Sequence, residues 1–212
     1  MDAKHLSTYR LLAPERFLNE LKAKTVLITG GGYGIGAAIA KSFVKAGVAK
    51  VILVVKTSTK VAYYAVDITS KDDVENLFAS ISTIPDILVN NAGFLAAPSN
   101  FLDADLDEYW KSFSINIFGT ALQAGSPSNP AVVVTLNTIG AYSVRVPHLS
   151  SYGASKAALA RWSESIAVDI PEHVARFISV HPGAVKTDMG IKSGLDGVFP
   201  STDPALAGDF VV

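Results

Sequence analysis

Thr25-Val26-Leu27-Ile28-Thr29-Gly30-Gly31-Gly32-Tyr33-Gly34-Ile35-Gly36 passes from an apolar, β-branched stretch through a glycine-rich turn into the first residues of a helix. Glycine lets the backbone turn tightly and come close to a bound phosphate group, whose charge then sits on the helix N-terminus. A strand before the turn and a helix after it separate this stretch from a glycine-rich loop with no ligand.

Outward from this turn, short apolar runs alternate with helical stretches. The strands read as Thr25-Thr29, Val51-Val55, Val61-Val66, Ile87-Asn90, Val132-Leu136 and Phe177-His181. The helices read as Ile35-Ala46, Lys71-Ser80, Asp107 to about Gln123, and Ser151-Asp169. Continuous apolar strands between helices predict an α/β fold, a doubly wound parallel sheet covered on both faces. A length of 212 residues suits one such domain, here 23–212, preceded by an arm at 1–22 that reads as a short amphipathic helix or a loose segment. Its apolar contacts are Leu11, Leu12, Phe17, Leu18 and Leu21. The tail from Gly190, rich in Gly, Pro, Ser and Asp, reads as a mobile loop.

Apolar residues make up 49% and charged ones 17%, enough for a packed core. A net charge of -1 offers no footprint for nucleic acid or an anionic membrane. The absence of cysteine excludes disulfides, a thiol nucleophile and a cysteine metal site, and no metal is expected. Met1-Asp2-Ala3-Lys4-His5 leads into no apolar run of signal or membrane length, so the expected location is cytoplasmic.

Tyr152-Gly153-Ala154-Ser155-Lys156 places a tyrosine and a lysine four apart on one helical face. The lysine's charge is expected to lower the phenol pKa toward neutrality, as acid–base work requires. Read with Thr29 to Gly36, Asn90-Asn91-Ala92-Gly93 and Asn116 in that chain order, it resembles the short-chain dehydrogenase/reductase (SDR) family, from about Lys24 to Val212. The resemblance implies a Rossmann-type fold, a nicotinamide cofactor, and interconversion of a small-molecule ketone or aldehyde with an alcohol.

On that resemblance, Tyr152 is the proton donor or acceptor, and Lys156 lowers its pKa and bonds the nicotinamide ribose. Asn116 holds a relaying water, or else is a mid-helix residue bonding its own backbone. Thr138 stands where the family usually places a serine to polarise the carbonyl, with Ser143 as the fallback; its extra methyl restricts the rotamer. Arg145, His148 and His181 read as loop or structural residues. The cofactor would meet Thr29, Gly30, Gly34, Ile35 and Gly36 at the pyrophosphate, and Asn90, Ala92 and Gly93 beside the adenine ribose. Asp67 would receive the adenine amino group, or instead cap the turn before Thr69 and Ser70. Pro182, Gly183, Val185 and Thr187 would lie over the nicotinamide and phosphates, within a substrate loop and tail at 184–212. Val54-Val55-Lys56-Thr57-Ser58 carries no carboxylate and one lysine, which favours NADP over NAD.

Measured against the family pattern, pieces are missing. Lys56 to Lys60 leave five residues between strands where a parallel crossover needs about a dozen or more. The strand at Val61-Val66 must therefore pair differently, shift, or leave the sheet face bare. The helix bearing Asn116 gives out at Gln123-Ala124-Gly125, and the family's last helix and seventh strand are absent, which exposes a sheet edge and weakens homo-oligomer formation. A catalytically impaired nucleotide- or partner-binding protein produced by truncation is the alternative reading. A serine hydrolase built on Gly153-Ala154-Ser155-Lys156-Ala157 is rejected, because a nucleophile elbow directly follows a strand and this segment follows a loop.

Overall fold

The computed structural model describes residues 6–55, 63–81, 84–120, 131–143 and 145–212. Six parallel strands form one sheet: β1 (Thr25–Thr29), β2 (Lys50–Val55), β3 (Tyr64–Ala65), β4 (Ile87–Asn90), β5 (Ala131–Leu136) and β6 (Ala175–Val180). Their spatial order is β3-β2-β1-β4-β5-β6. The chain winds one way from β1 to β3 and the other way from β4 to β6. The reversal falls between β1 and β4, and open α/β sheets bind ligands at the carboxyl ends of the strands beside such a reversal.

Successive side chains of a strand point to opposite faces, so both faces must be apolar for the sheet to be buried between helices. Val26 and Ile28 of β1, with Val89 and Val134, form one core cluster together with Ile39 and Phe43 of α2 (Gly34–Lys45). Leu27, Leu88 and Val133 face the other way, into a cluster with Leu77 of α3 (Lys71–Ser80). Helix α4 (Leu106–Asn116) starts on Asp105, whose carboxylate accepts from the N–H groups of Asp107 and Glu108, and it packs on α5 (Ser150–Asp169).

Four sequence expectations need correction. The third strand is two residues long, and it pairs only with the end of β2, Val54 against Tyr64 and Val55 against Ala65. This shift removes the steric problem of a five-residue crossover, because a strand joining the carboxyl end of β2 returns along almost none of its length. Residues 61 and 62 lie outside the described residues. Helix α4 ends at Asn116 and passes into a 3-10 turn at Phe118–Thr120; Gln123-Ala124-Gly125 lies outside the described residues.

The tail is not a loose loop. It contains α6 (Asp188–Lys192) and α7 (Pro204–Val211), and α7 lies along α2. Asp203 and Pro204 are helix-starting residues rather than breakers: the Asp203 carboxylate accepts from the Ala205 N–H at 2.7 Å, and Pro204 has no N–H to leave unpaired. Gly208 lets the two helices close up, since a Cβ there would stand 2.7 Å from the Ala38 carbonyl carbon. Asp209, 3% exposed, accepts hydrogen bonds from Ser42 of α2 and from Thr8 of the arm.

The arm is correspondingly fastened rather than loose. It consists of 3-10 turns at Arg10–Leu12 and Pro14–Phe17 and a short α1 (Leu18–Leu21), with Pro14 buried and Leu21 on the α2-side core. Leu11, expected as a contact, is 67% exposed. No helix among the described residues is long and apolar enough to cross a membrane.

Candidate active site

The turn after β1 is built by hydrogen bonds from the turn after β4. The Thr29 hydroxyl accepts from the N–H groups of Asn91 and Ala92, each at 3.1 Å. The Asn91 side-chain amide donates to the carbonyls of Thr29 at 2.9 Å and Gly30 at 3.1 Å. Gly30 and Gly34 have φ of 65° and 56°, the left-handed region that favours glycine. Tyr33 precedes α2 without a side-chain cap, so the helix opens with its N-terminal N–H groups uncapped by a side chain. A side chain at Gly34 would project toward Thr187, 3.5 Å away, across the entrance of that helix. Beside the same turn the Asn90 carboxamide oxygen is buried without a partner among the described residues. An uncapped helix start, glycine where a side chain would intrude, and an orphaned acceptor together suit a dinucleotide with a pyrophosphate at its centre.

Across the reversal point, Tyr152 and Lys156 occupy the first two turns of α5. The start of this helix is tied to α4: the Ser151 hydroxyl donates to the Tyr109 carbonyl at 2.9 Å and shares a hydrogen bond with the Ser112 hydroxyl at 2.6 Å. Lys156 is 3% exposed, and its ammonium donates to the Leu136 carbonyl at the end of β5, 2.8 Å away. Burial pushes the lysine pKa down to about 8 and the tyrosine pKa up to about 12. This corrects the sequence expectation of a tyrosine lowered toward neutrality. Desolvation is the cause, and the phenol holds its proton.

Asn116 is fully buried and bonds the backbone of another segment rather than its own. Its carboxamide oxygen accepts from the Phe94 N–H at 2.8 Å, and its amide donates to the Phe94 carbonyl at 3.0 Å and Ser155 Oγ at 2.8 Å. Gly93 lies between it and the lysine: a Cβ there would stand 3.3 Å from Asn116 Oδ1 and 3.9 Å from Lys156 Nζ. Ser155 is a brace that the sequence reading passed over. Its hydroxyl donates back to the Tyr152 carbonyl at 2.9 Å, and a serine three residues after a tyrosine in a helix is the signal for such a bond. Asn91, quoted only as part of its turn, is the other.

A cavity of about 500 Å³ opens in front of these residues. Tyr152, Thr138, Ile35, Pro182, Gly183, Val185 and Thr187 all face it. Thr138 caps the 3-10 turn at Ile139–Ala141, its hydroxyl accepting from the Gly140 N–H at 3.3 Å. Ser143 is exposed and outside the lining. His181 also lines the cavity, its pKa lowered by burial against the opposing effect of a backbone hydrogen bond at Asn137. Asp67 lies apart from the tyrosine, its carboxylate accepting from the Thr69 N–H at 3.0 Å and hydroxyl at 2.7 Å, the arrangement of a turn-capping aspartate. Lys56 lies outside the described residues.

The short chain dehydrogenase family model matches residues 24–196. The chain belongs to that family. A short chain dehydrogenase of Pseudocercospora fijiensis is 31% identical over 86% of this chain and 66% of its own length. An NADP-dependent (R)-specific alcohol dehydrogenase of Lentilactobacillus kefiri is 30% identical over 81% of this chain and 77% of its own. Among solved structures, the 3-ketoacyl-(acyl-carrier-protein) reductase of Brucella melitensis complexed with NADH superposes with a TM-score of 0.78, at 26% identity over 90% of each chain. In this short chain dehydrogenase, the glycine turn and the Tyr152–Lys156 helix thus flank one sheet reversal and one cavity.

Proposed function

We propose that this short chain dehydrogenase is an NADP-dependent oxidoreductase that interconverts a ketone or aldehyde and an alcohol by hydride transfer, with Tyr152 as acid and base. The observation that carries the reading is Tyr152, protonated by its burial, facing a cavity that Ile35 in the uncapped first turn of α2 also lines.

The nicotinamide cofactor, when bound, supplies or accepts the hydride. Thr29, Gly30, Gly34, Ile35 and Gly36 would hold its pyrophosphate, Asn90, Ala92 and Gly93 its adenosine side, and Pro182, Gly183, Val185 and Thr187 its nicotinamide end. The absence of a carboxylate in Val54-Val55-Lys56-Thr57-Ser58 supports NADP over NAD. The named relatives include both an NADP-dependent dehydrogenase and a reductase complexed with NADH.

In the reducing direction the phenol of Tyr152 donates its proton to the oxygen on which negative charge develops. A pKa of about 12 ensures that the proton is present at neutral pH. The tyrosinate left behind is stabilised by the Lys156 ammonium one helical turn away, which the Leu136 carbonyl holds in place. Thr138 offers its hydroxyl to the same oxygen. Asn116 orders Phe94 and Ser155 around the pair.

Titration of the purified chain with NADPH and with NADH, followed by nicotinamide fluorescence, tests the cofactor reading. Tighter NADPH binding supports it, and tighter NADH binding removes the Lys56 argument. Tyr152→Phe is expected to bind cofactor as the parent does and to lose at least about a hundredfold in carbonyl reduction. Unchanged turnover in that variant would sink the assignment.

A further inference from the structure

Around the tyrosine, the walls of the cavity are apolar away from the cofactor end. Leu95, Val146 and Leu149 form one side; Met189, Leu195 and Phe199 of the segment after β6 form the other. Two of the lining residues, Ile139 and Phe199, are themselves about half exposed, at 46% and 52%, and their chain neighbours Tyr142 and Val198 are exposed as well. Water-facing aromatic and branched residues gathered at one opening mark a binding surface rather than ordinary scatter.

A second cavity, of about 220 Å³, lies on the other side of Leu95, Leu149 and Tyr152, which line both. Its walls carry Asp103, Asp105 and Glu108, and the larger cavity carries Asp196. Neither lining contains a lysine or an arginine. Lys192 donates to the Leu95 carbonyl at 2.6 Å and pairs with Glu108 at 3.6 Å, which offsets that carboxylate, while Lys156 is held by Leu136. A carboxylate or phosphate on a substrate in the larger cavity would thus meet Asp196, with no lysine or arginine in the lining to receive it.

Resting on the carbonyl-reductase reading above, we infer that the substrates are neutral, lipophilic ketones carrying an aryl or comparably bulky apolar group, with Phe199 and Leu195 as the selecting wall. Keto acids and phosphorylated or otherwise anionic carbonyl compounds are disfavoured by Asp196 and by the lack of a lysine or arginine in the lining.

Three ketones test this with the cofactor that binds more tightly: acetophenone, its anionic counterpart para-acetylbenzoate, and the small polar hydroxyacetone. Acetophenone is expected to exceed hydroxyacetone in kcat/KM by about 30-fold, the order expected for burying a phenyl ring. It should exceed para-acetylbenzoate by about 10-fold, the second gap narrowing at high salt as the repulsion is screened. Phe199→Asp should abolish the preference for acetophenone while leaving the cofactor Kd unchanged. A flat profile, or preference for the anionic or the small polar ketone, overturns the inference.

Prodan, a naphthyl ketone dye whose emission moves to the blue in apolar surroundings, gives a readout independent of turnover. Saturable blue-shifted binding by the parent chain, lost in Phe199→Asp, supports the apolar wall even where no ketone is reduced; that result would sink the proposed reaction and leave the wall standing. No blue-shifted binding by the parent overturns the wall.

Discussion

Lys156 presses its ammonium on the Leu136 carbonyl while only 3% of the residue reaches solvent, and its pKa falls from 10.5 to about 8. Between those two values the unfolded chain binds more protons than the folded one, so this group's contribution makes the protein more stable as pH rises through that window. Tyr152, raised from 10.0 to about 12, works in the opposite sense: its contribution is fully present below pH 10.0 and is lost as pH climbs toward 12. Lys156→Met removes the first contribution alone. At neutral pH the variant is expected to gain about 1–3 kcal/mol relative to the cost that the buried charge imposes, partly offset by the unpaired Leu136 carbonyl. Whatever that offset, the difference in Tm between variant and parent should move in the parent's favour as pH rises from about 8 to 10.5. A pH-independent difference in thermal melts would contradict the assignment. Reduction by the parent should also show a kcat/KM that declines above about pH 8, as the lysine that stabilises the tyrosinate loses its charge. The spacing of Tyr152 and Lys156 pointed to a lowered phenol pKa, the opposite of the direction that burial imposes. Spacing brings two side chains to one helical face, but it does not reveal how much water the rest of the fold removes from them.

Among the elements, α2 carries the heaviest constraint, because its first turn meets the possible ligand and its outer face meets α7. A Cβ on Gly36 would overlap the Gly30 carbonyl oxygen and stand 2.5 Å from Asn91 Nδ2, the amide that holds the glycine turn. Gly36→Ala is therefore expected to cost about 1–3 kcal/mol and to weaken cofactor binding at least tenfold, which chemical denaturation and the nicotinamide titration would measure. Unaltered affinity would mean that the turn tolerates being pushed open. At the other face, Asp209→Ala removes a buried acceptor from Ser42 and Thr8 and should cost about 3 kcal/mol, or roughly 6–12 °C in Tm. If the tail were loosely attached, the melting temperature would not move. That attachment was illegible in composition: Gly, Pro, Ser and Asp read as loop formers when counted. Here Asp203 and Pro204 start a helix, and Gly208 brings it onto Ala38.

For the molecule as a whole, the alternation of apolar runs and helical stretches made the sheet legible, since both faces of a parallel sheet must be apolar and both were. Strands β1 and β4 run over the residues expected of them, Thr25–Thr29 and Ile87–Asn90. The site was legible as a set of turns and one helix. Its cavity was not, because Leu95, Val146, Met189 and Phe199 reach it from three separate stretches of chain, none with a local signature. The third strand was legible as an apolar run but not in register, which only the short connection to β2 could fix. At the opposite border of the described sheet stands β6, with Ile178 49% exposed.

The hydrogen bonds from Thr8 and Ser42 to Asp209 have a consequence for synthesis on the ribosome. Residues 8 and 209 are separated by 201 positions, yet they meet on the outer face of the helix that opens with the glycine turn. While the chain emerges, that helix and its strand can form early, but the helix must wait for its covering until residues 204–211 leave the exit tunnel. A pause or break in translation before that point would release a nascent chain with the glycine turn and its helix already made and its back still bare, a natural target for chaperones.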